Sequence, residues 1–436
     1  MLAMYGRVAE QKITLLLNKP WFLPIIICIG INVLGVLLSA AFNENYTSSE
    51  FTITEPRQIS ILSIIAGSLM TLIGITFSIS MLILSSVSNQ FGPRLMPSFI
   101  HSKVSQVTLG LYLGTFIYCI FCIYYPTTII VRGIQTFYII GLTLCCLVIL
   151  VVFLNKVIKS IQISGILSLV TNNTHETIKR GYSQNNVEKT KVPIEILKSN
   201  FSYFVLCDSH GYIEGIDYKD IKQYALDNHY TIKINVKPGD FVYPGYRIMD
   251  LKPEEGIELK DTYTKELNKK IFVVKMRTLN QDVEYGFDQI SEVAVRALSS
   301  GINDPYTARD CVYLIGELLL SLDKHQDIEL NAMIEKNDKI PLIFKPFTYE
   351  GIISAGLSRI IQAVGKDTVI IHAIFDMTVK IIPILNRRRI KRELLSQSHK
   401  LNEKLNEFSF CDQEKNDLDR YTHRIKQLED KLTENV

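Results

Sequence analysis

Residues 60–88 read SILSIIAGSLMTLIGITFSISMLILSSVS. No charge occurs from Gln58 through Val87, and the run exceeds the roughly 20 apolar residues that cross a bilayer as a helix. It is not uniformly apolar. Ser60, Ser63, Gly67, Thr71, Gly74, Ser78, Ser85 and Ser88 recur at spacings of three, four and seven. On a helix they share one face, with Met81 at the gap. Leu62, Ile65, Leu69, Leu72, Ile73, Ile79, Leu82 and Ile83 cover the rest. Such a stripe has two physical uses. Small side chains let a second helix approach closely. With several copies around an axis, the same face lines a wet path.

Working outward, Trp21–Phe42 is an apolar run of spanning length that reads as a retained anchor, too long for the apolar core of a secretory signal. Gly92-Pro93 should end the striped helix. Val104–Tyr125 is a third span and Phe137–Leu154 a fourth, with Pro126 and Arg132 in the link between them. Arg7, Lys12, Lys19, Arg94, Lys103, Lys156 and Lys159 lie on one side of these spans, and only Arg57 and Arg132 on the other. That asymmetry predicts cytoplasmic termini in a bacterial inner membrane.

A net charge of +3 over 436 residues gives no basic field for nucleic acid. Cys28, Cys119, Cys122, Cys145 and Cys146 sit in apolar segments and form no disulfide framework; the Cys119-x-x-Cys122 pair reads as small buried hydrophobes.

The remainder, 155–436, reads as a large cytoplasmic region. The period changes near Tyr203, where short strands alternate with turns at Asp208–Gly211, Lys237–Asp240 and Pro244-Gly245. They suggest a small barrel or sandwich. Pro238-Gly239-Asp240-Phe241-Val242-x-x-Gly245 resembles the barrel-sandwich hybrid of lipoyl and biotinyl carriers, but Lys275-Met276 is not their Met-Lys-Met. From Gln281 the period is helical. Asp304 suits an N-cap, Pro305 a first helical residue, and Gly301 the left-handed residue ending the preceding helix. Asp288, Glu292 and Arg296, four apart, suit surface pairing along their helix. Arg387–Arg392 is a solvated face or a contact for anionic lipid. Leu418, Tyr421, Ile425, Leu428 and Leu432 form a seam that pairs within the subunit or with a neighbour.

The organisation expected is therefore an α-helical membrane protein with four transmembrane helices and an α+β cytoplasmic domain. Its parts are a cytoplasmic N-terminus (1–20), a four-helix transmembrane domain (21–154), a helical linker (155–191), a β-rich domain (192–280), a helical domain (281–385), and a C-terminal hairpin or short coiled coil (386–436).

Two groups of motifs carry a family resemblance. The first is Thr76-Phe77-Ser78 through Ser88-Asn89-Gln90-Phe91-Gly92-Pro93-Arg94-Leu95, with Gln106-Val107-x-Leu109-Gly110-x-x-Leu113-Gly114-Thr115-Phe116. The second is Arg277-x-x-x-Gln281-Asp282, with Ala297-Leu298-Ser299-x-Gly301-Ile302-Asn303-Asp304-Pro305-x-Thr307-Ala308. Together they resemble a bacterial family of predicted membrane proteins catalogued as domain of unknown function 2254. Ser300 stands where that family often has Pro, and Tyr306 where it often has Phe. The resemblance implies a membrane protein with a cytoplasmic domain and supplies no activity.

No phosphate-binding loop, dinucleotide fingerprint, zinc-protease motif or nucleophile elbow occurs in the sequence, and the eight histidines show no ligand spacing. The expectation is a non-enzyme without cofactor or metal. Its leading reading is an oligomeric channel or transport pore for a small ion or solute, surrounded by membrane lipid. Ser63, Gly67, Thr71, Gly74, Ser78 and Ser85 would line or pack the path, and Asn89, Gln90 and Arg94 would stand at its cytoplasmic mouth. Asp282, Asn303 and Asp304 would form a ligand pocket or helix caps. The alternative is a membrane-anchored ligand sensor or scaffold that conducts nothing.

Overall fold

A computed structural model describes residues 22–41, 53–91, 103–125, 129–161, 163–182, 189–190, 201–325, 327–333 and 340–434. The chain divides into two compact units, 1–166 and 167–436.

The first unit holds α1 (Phe22–Ala41), α2 (Glu55–Phe91), α3 (Lys103–Tyr124) and α4 (Ile129–Ile161). Three stretches, Glu55–Ile83, Val104–Tyr124 and Val131–Ile158, are long and apolar enough to cross a membrane; α1 adds the apolar stretch Pro24–Leu37. Helix α3 packs against α1, α2 and α4. Its Tyr112, Tyr118, Cys119 and Cys122 form one apolar cluster with Leu62, Ala66 and Leu69 of α2 and Ile139 and Cys146 of α4. Cys119 and Cys122 are buried there as free thiols.

The fourth helix begins earlier than its apolar run. Arg132, expected in the link, lies in its first turn and pairs with Glu55 of α2 at 3.0 Å. One turn further on, Gln58 Nε2 donates to Gln135 Oε1 at 3.4 Å. These polar residues hide the helix from a hydropathy reading because each cancels its cost against a partner on α2.

In the second unit, α5 (Ile163–Tyr182) enters the helical packing: Thr174 presses on Gly286, and His175 Nδ1 lies 2.9 Å from Ser321 Oγ. The chain continues through β1 (Lys189–Thr190), β2 (Tyr203–Leu206), β3 (Gly211–Ile216), α6 (Tyr218–Asp227), β4 (Tyr230–Ile234), β5 (Phe241–Val242), β6 (Arg247–Pro253), α7 (Tyr263–Asn268) and β7 (Ile271–Val274). Then come α8 (Val283–Ala297), α9 (Pro305–Asp323), β8 (Ala332–Met333), β9 (Leu342–Phe344), α10 (Tyr349–Ala363), α11 (Thr368–Ile381), α12 (Arg388–Leu405) and α13 (Asp412–Glu434).

Two sheets form, a six-stranded one ordered β1-β8-β9-β4-β6-β2 and a three-stranded one ordered β5-β3-β7. Their inward residues, among them Val205, Ile213, Ile232, Val242, Ile248 and Leu251, make a single core. The larger sheet does not stop at residue 280. Strand β9 pairs with β4 in parallel, Ile232 opposite Leu342, so a segment of the helical stretch completes the sheet begun by the β-rich one. A three-residue strand has no measurable period, which is why its sequence does not announce it. Lys275 and Met276 lie in an exposed bend after β7.

The helices pack as α8 on α9 and α10, α9 on α11, α10 on α12, and α13 on α11 and α12. The basic run is not simply a solvated or lipid-facing surface. Asp323 accepts from the Asn386 and Arg387 backbone N–H groups at 2.7 and 2.8 Å, Arg389 pairs with Glu329, and Arg388 donates to the Leu432 carbonyl. The C-terminal seam packs inside the subunit: Leu418 and Ile425 are buried, and Tyr421 stacks on Phe375 with centroids 5.8 Å apart.

Candidate functional site

On α2, burial divides the helix cleanly. Gln58, Leu62, Ala66, Leu69 and Thr76 are buried against the other helices of the unit. Ser63, Gly67, Thr71, Gly74, Ser78 and Ser85 are all exposed on the opposite side. A Cβ built on Gly67 or Gly74 meets nothing within 4 Å. Among the described residues of this unit, the stripe is therefore no packing surface. The Thr71 hydroxyl donates to the Gly67 carbonyl at 3.1 Å, so its polar cost is met by its own helix. Of the residues expected at the mouth, Arg94 lies outside the described residues, as do the side chains of Asn89 and Gln90.

Close packing within the unit comes from another pair of glycines, quoted above as motif residues without a packing role. Gly110 and Gly114 of α3 face α1: a Cβ at Gly110 would lie 2.8 Å from Pro24 Cα, and one at Gly114 3.0 Å from Cys28 Cα. Their four-residue spacing is the signal that could have found them. Asn32, which with Ser39 is polar within the first apolar run, donates its amide to the Cys28 carbonyl at 2.8 Å and the Gly114 carbonyl at 3.4 Å.

In the second unit, Asp282 ends the connection after β7 and caps α8, accepting from the Tyr285 N–H at 3.0 Å. It is 1% exposed. Arg277 reaches it through Nε at 2.5 Å and a terminal nitrogen at 3.2 Å. Burial pushes the Asp282 carboxyl up, and the Arg277 pair and the Tyr285 N–H offset only part of that rise. Gly239, with φ of +92°, sits so close that a Cβ there would stand 2.1 Å from Asp282 Oδ2. Gln281 joins the same staple, accepting from the Ile216 N–H at 3.0 Å and donating to the Ile216 carbonyl at 3.3 Å.

Further ion pairs surround it. Lys237 meets Glu284 at 2.5 Å, Lys345 meets Asp240 at 2.9 Å, and Arg359 meets Asp288 at 3.2 Å. Asp288 thus reaches partners on other elements, including Arg277 at 3.9 Å, rather than only its own helix. The motif residues Arg277, Gln281 and Asp282 join the strands to the helices.

Asn303 and Asp304 are not part of this cluster. They lie beyond the far end of α8, whose 15 residues span about 22 Å. Asp304 caps α9, taking the Thr307 N–H at 3.1 Å and its hydroxyl at 2.6 Å. The left-handed residue of this joint is Asn303, with φ of +50°, and not Gly301 as the sequence suggested. Asparagine tolerates that conformation through local hydrogen bonding, so a glycine was not needed there.

Asp304→Ala should cost about 1 kcal/mol. Asn303→Val, forced left-handed, should cost about 1–2 kcal/mol, while Gly301→Val, whose Cβ meets open space, should be near neutral. Thermal melts of the three variants check this, and an order led by Gly301→Val would refute it. The Thr307 hydroxyl and N–H hold the Asp304 carboxyl below its usual range. The group therefore adds stability above the unfolded-chain value of about 3.9 and loses it as pH falls through the lower folded value. The gap between wild type and Asp304→Ala should close on acidification.

No group of three or more His, Cys, Asp or Glu side chains arranged for a metal ion occurs among the described residues.

Comparison with known proteins gives one family match. The family model described as "Predicted membrane protein (DUF2254)" covers residues 18–379. Proteins of Mycobacterium tuberculosis and Mycobacterium bovis, both titled uncharacterized, are 26% identical over 269 residues, or 58% of this chain and 50% of theirs. The chain thus spans about half the length of the curated relatives it matches. No solved structure matches it.

Proposed function

We propose, from the premise that the chain belongs to the DUF2254 family of predicted membrane proteins, that it acts as a homo-oligomeric channel or transport pore rather than an enzyme. In this reading α1 to α4 all span the bacterial inner membrane with both termini cytoplasmic. The stripe on α2 lines a path for a small ion or solute. The cytoplasmic sheets, closed as a small barrel or sandwich, and their helices assemble or gate it.

One observation carries the reading. The six small or weakly polar stripe residues are exposed, while the opposite face of the same helix supplies the packing within the subunit. Lipid contact alone does not call for such a face. Other exposed positions of α2, namely Ile64, Met70, Ile75, Phe77 and Leu82, carry the large apolar groups that suit lipid. The uncharged stripe suits a weakly selective path better than a proton-coupled pump, which uses intramembrane carboxylates.

In planar bilayers the wild type should conduct, and Ser78→Leu should cut conductance by dewetting while thermal stability stays near wild type. Silent bilayers containing correctly assembled wild type would refute the pore and leave the membrane-anchored sensor or scaffold. For orientation, cysteines placed at Ser48 and Thr128 in a cysteine-free background should react with an impermeant thiol reagent in intact cells, and one at Gln184 should not. External labelling at Gln184 would reverse the topology.

A further inference from the structure

Helices α11 and α13 pack through Tyr421 on Phe375, but their paired surface opens into a cleft of about 630 Å³. Its walls are His372, Asp376 and Lys380 of α11, Pro383 just beyond it, and Asp417, Arg420, Tyr421 and Arg424 of α13, with Val379 also lining it. The volume falls within the 300–1,000 Å³ usual for small-molecule pockets.

The charges do not cancel. Three permanent cations, Lys380, Arg420 and Arg424, face two carboxylates, Asp376 and Asp417. Asp376 is already engaged, accepting from Lys380 Nζ at 2.8 Å and from the Tyr313 hydroxyl at 3.2 Å. Arg420 holds Asp417 at 3.4 Å. Among the described residues Arg424 forms no ion pair, and it stands one turn from Arg420 on the same helix face. On the inner wall, the Nε2 atom of His372 is shut from solvent without a hydrogen-bond partner, and its ring lies 5.5 Å from that of Tyr421. Because that atom is closed to the open cleft as well, the groups that face an occupant are the cations and the ring faces.

We propose that this cleft binds a small phosphate ester. The Arg420–Arg424 pair supplies the planar, multi-donor contact that phosphate favours. The His372 and Tyr421 rings and the Val379–Pro383 side face the organic part. An ester held this way bridges α11 and α13 and fastens the C-terminal helix to the domain. The site is independent of the pore reading. A soluble nucleotide and a lipid headgroup share this chemistry.

The test uses the full chain in detergent, titrated separately with inorganic phosphate, adenosine monophosphate and short-chain phosphatidic acid, with melting temperature and calorimetry as readouts. At least one ester should raise the melting temperature of the wild type. The Arg420→Ala/Arg424→Ala variant, altered at two exposed positions, should fold normally and bind that ester about tenfold more weakly or worse, a loss of roughly 1.4 kcal/mol. Lys391→Ala, a charge control outside the cleft, should bind as the wild type does. Adenosine monophosphate alone would identify a soluble ligand, phosphatidic acid alone a lipid headgroup, and both a site that reads the phosphate itself. Binding of no probe, of inorganic phosphate only, or of an ester equally by wild type and the double-arginine variant would overturn the proposal.

Discussion

Gly110→Leu should lose the native packing of the membrane unit, while Gly74→Leu, on a neighbouring helix, should leave a single subunit intact. At Gly110 even a Cβ lies 2.8 Å from Pro24 Cα and 3.0 Å from its carbonyl oxygen. Both are backbone atoms, so no rotamer change relieves the contact, and α1 must move away. Gly114→Leu meets the same obstacle at Cys28 Cα, 3.0 Å away. Membrane helices associate through such close contacts, because lipid tails remove the hydrophobic drive that would compensate. Overpacking of this kind costs about 1–3 kcal/mol, and more where backbone is struck.

At Gly74 the added side chain meets open space among the described residues, so its effect should appear in the assembly. Melting of detergent-purified monomer should separate the two, and crosslinking in native membranes should then show whether Gly74→Leu weakens the oligomer. Equal melting temperatures for Gly110→Leu and wild type would refute the assignment of α1–α3 packing to this glycine pair.

Arg277→Met should be the most damaging single change in the second unit. It leaves Asp282 buried, 1% exposed, with its charge opposed by nothing but the Tyr285 N–H. Removing one partner of a buried ion pair costs about 3–5 kcal/mol, because the remaining charge stays desolvated. Arg277→Met combined with Asp282→Asn should recover part of the loss, since the amide keeps a carbonyl to cap Tyr285 without a charge to desolvate. Gly239→Ala attacks the same place sterically and should also destabilise, as its Cβ would overlap Asp282 and its positive φ disfavours a side chain. Cys311 is buried, so its reactivity toward a thiol reagent on heating reports unfolding of this unit in the full chain. A double variant no more stable than Arg277→Met would refute the view that the unpaired charge is the cost.

The two glycine pairs show what a linear reading can and cannot see. Gly67 and Gly74 drew notice because they recur with Ser and Thr on one helix face, which is a local periodicity. Gly110 and Gly114 have the same kind of spacing, but only the approach of α1 gives them their role. Likewise Asp304 announced itself as a cap by standing before Pro305, whereas the left-handed residue of that joint moved from Gly301 to Asn303. The path of the chain between Ala297 and Asp304, closed by the Asp304 N–H on the Ala297 carbonyl at 2.8 Å, decides which residue bends.

By itself the sequence determined where apolar runs of spanning length occur, the small-residue face of α2, the change from strand to helix period near Gln281, and the cap of α9. These are properties of neighbours along the chain, set by side-chain period and by the hydrogen-bonding needs of helix ends. Only the tertiary structure decided that the stripe faces away from the other described helices of its unit, that β9 completes a sheet begun more than a hundred residues earlier, and that Arg277 and Asp282 meet Gly239. Only it separated Asp282 from Asn303 and Asp304 by the length of α8, and turned the C-terminal seam inward onto Phe375. Each of these depends on which distant surfaces meet, and burial, ion pairing and close glycine contact arise from those meetings rather than from local spacing.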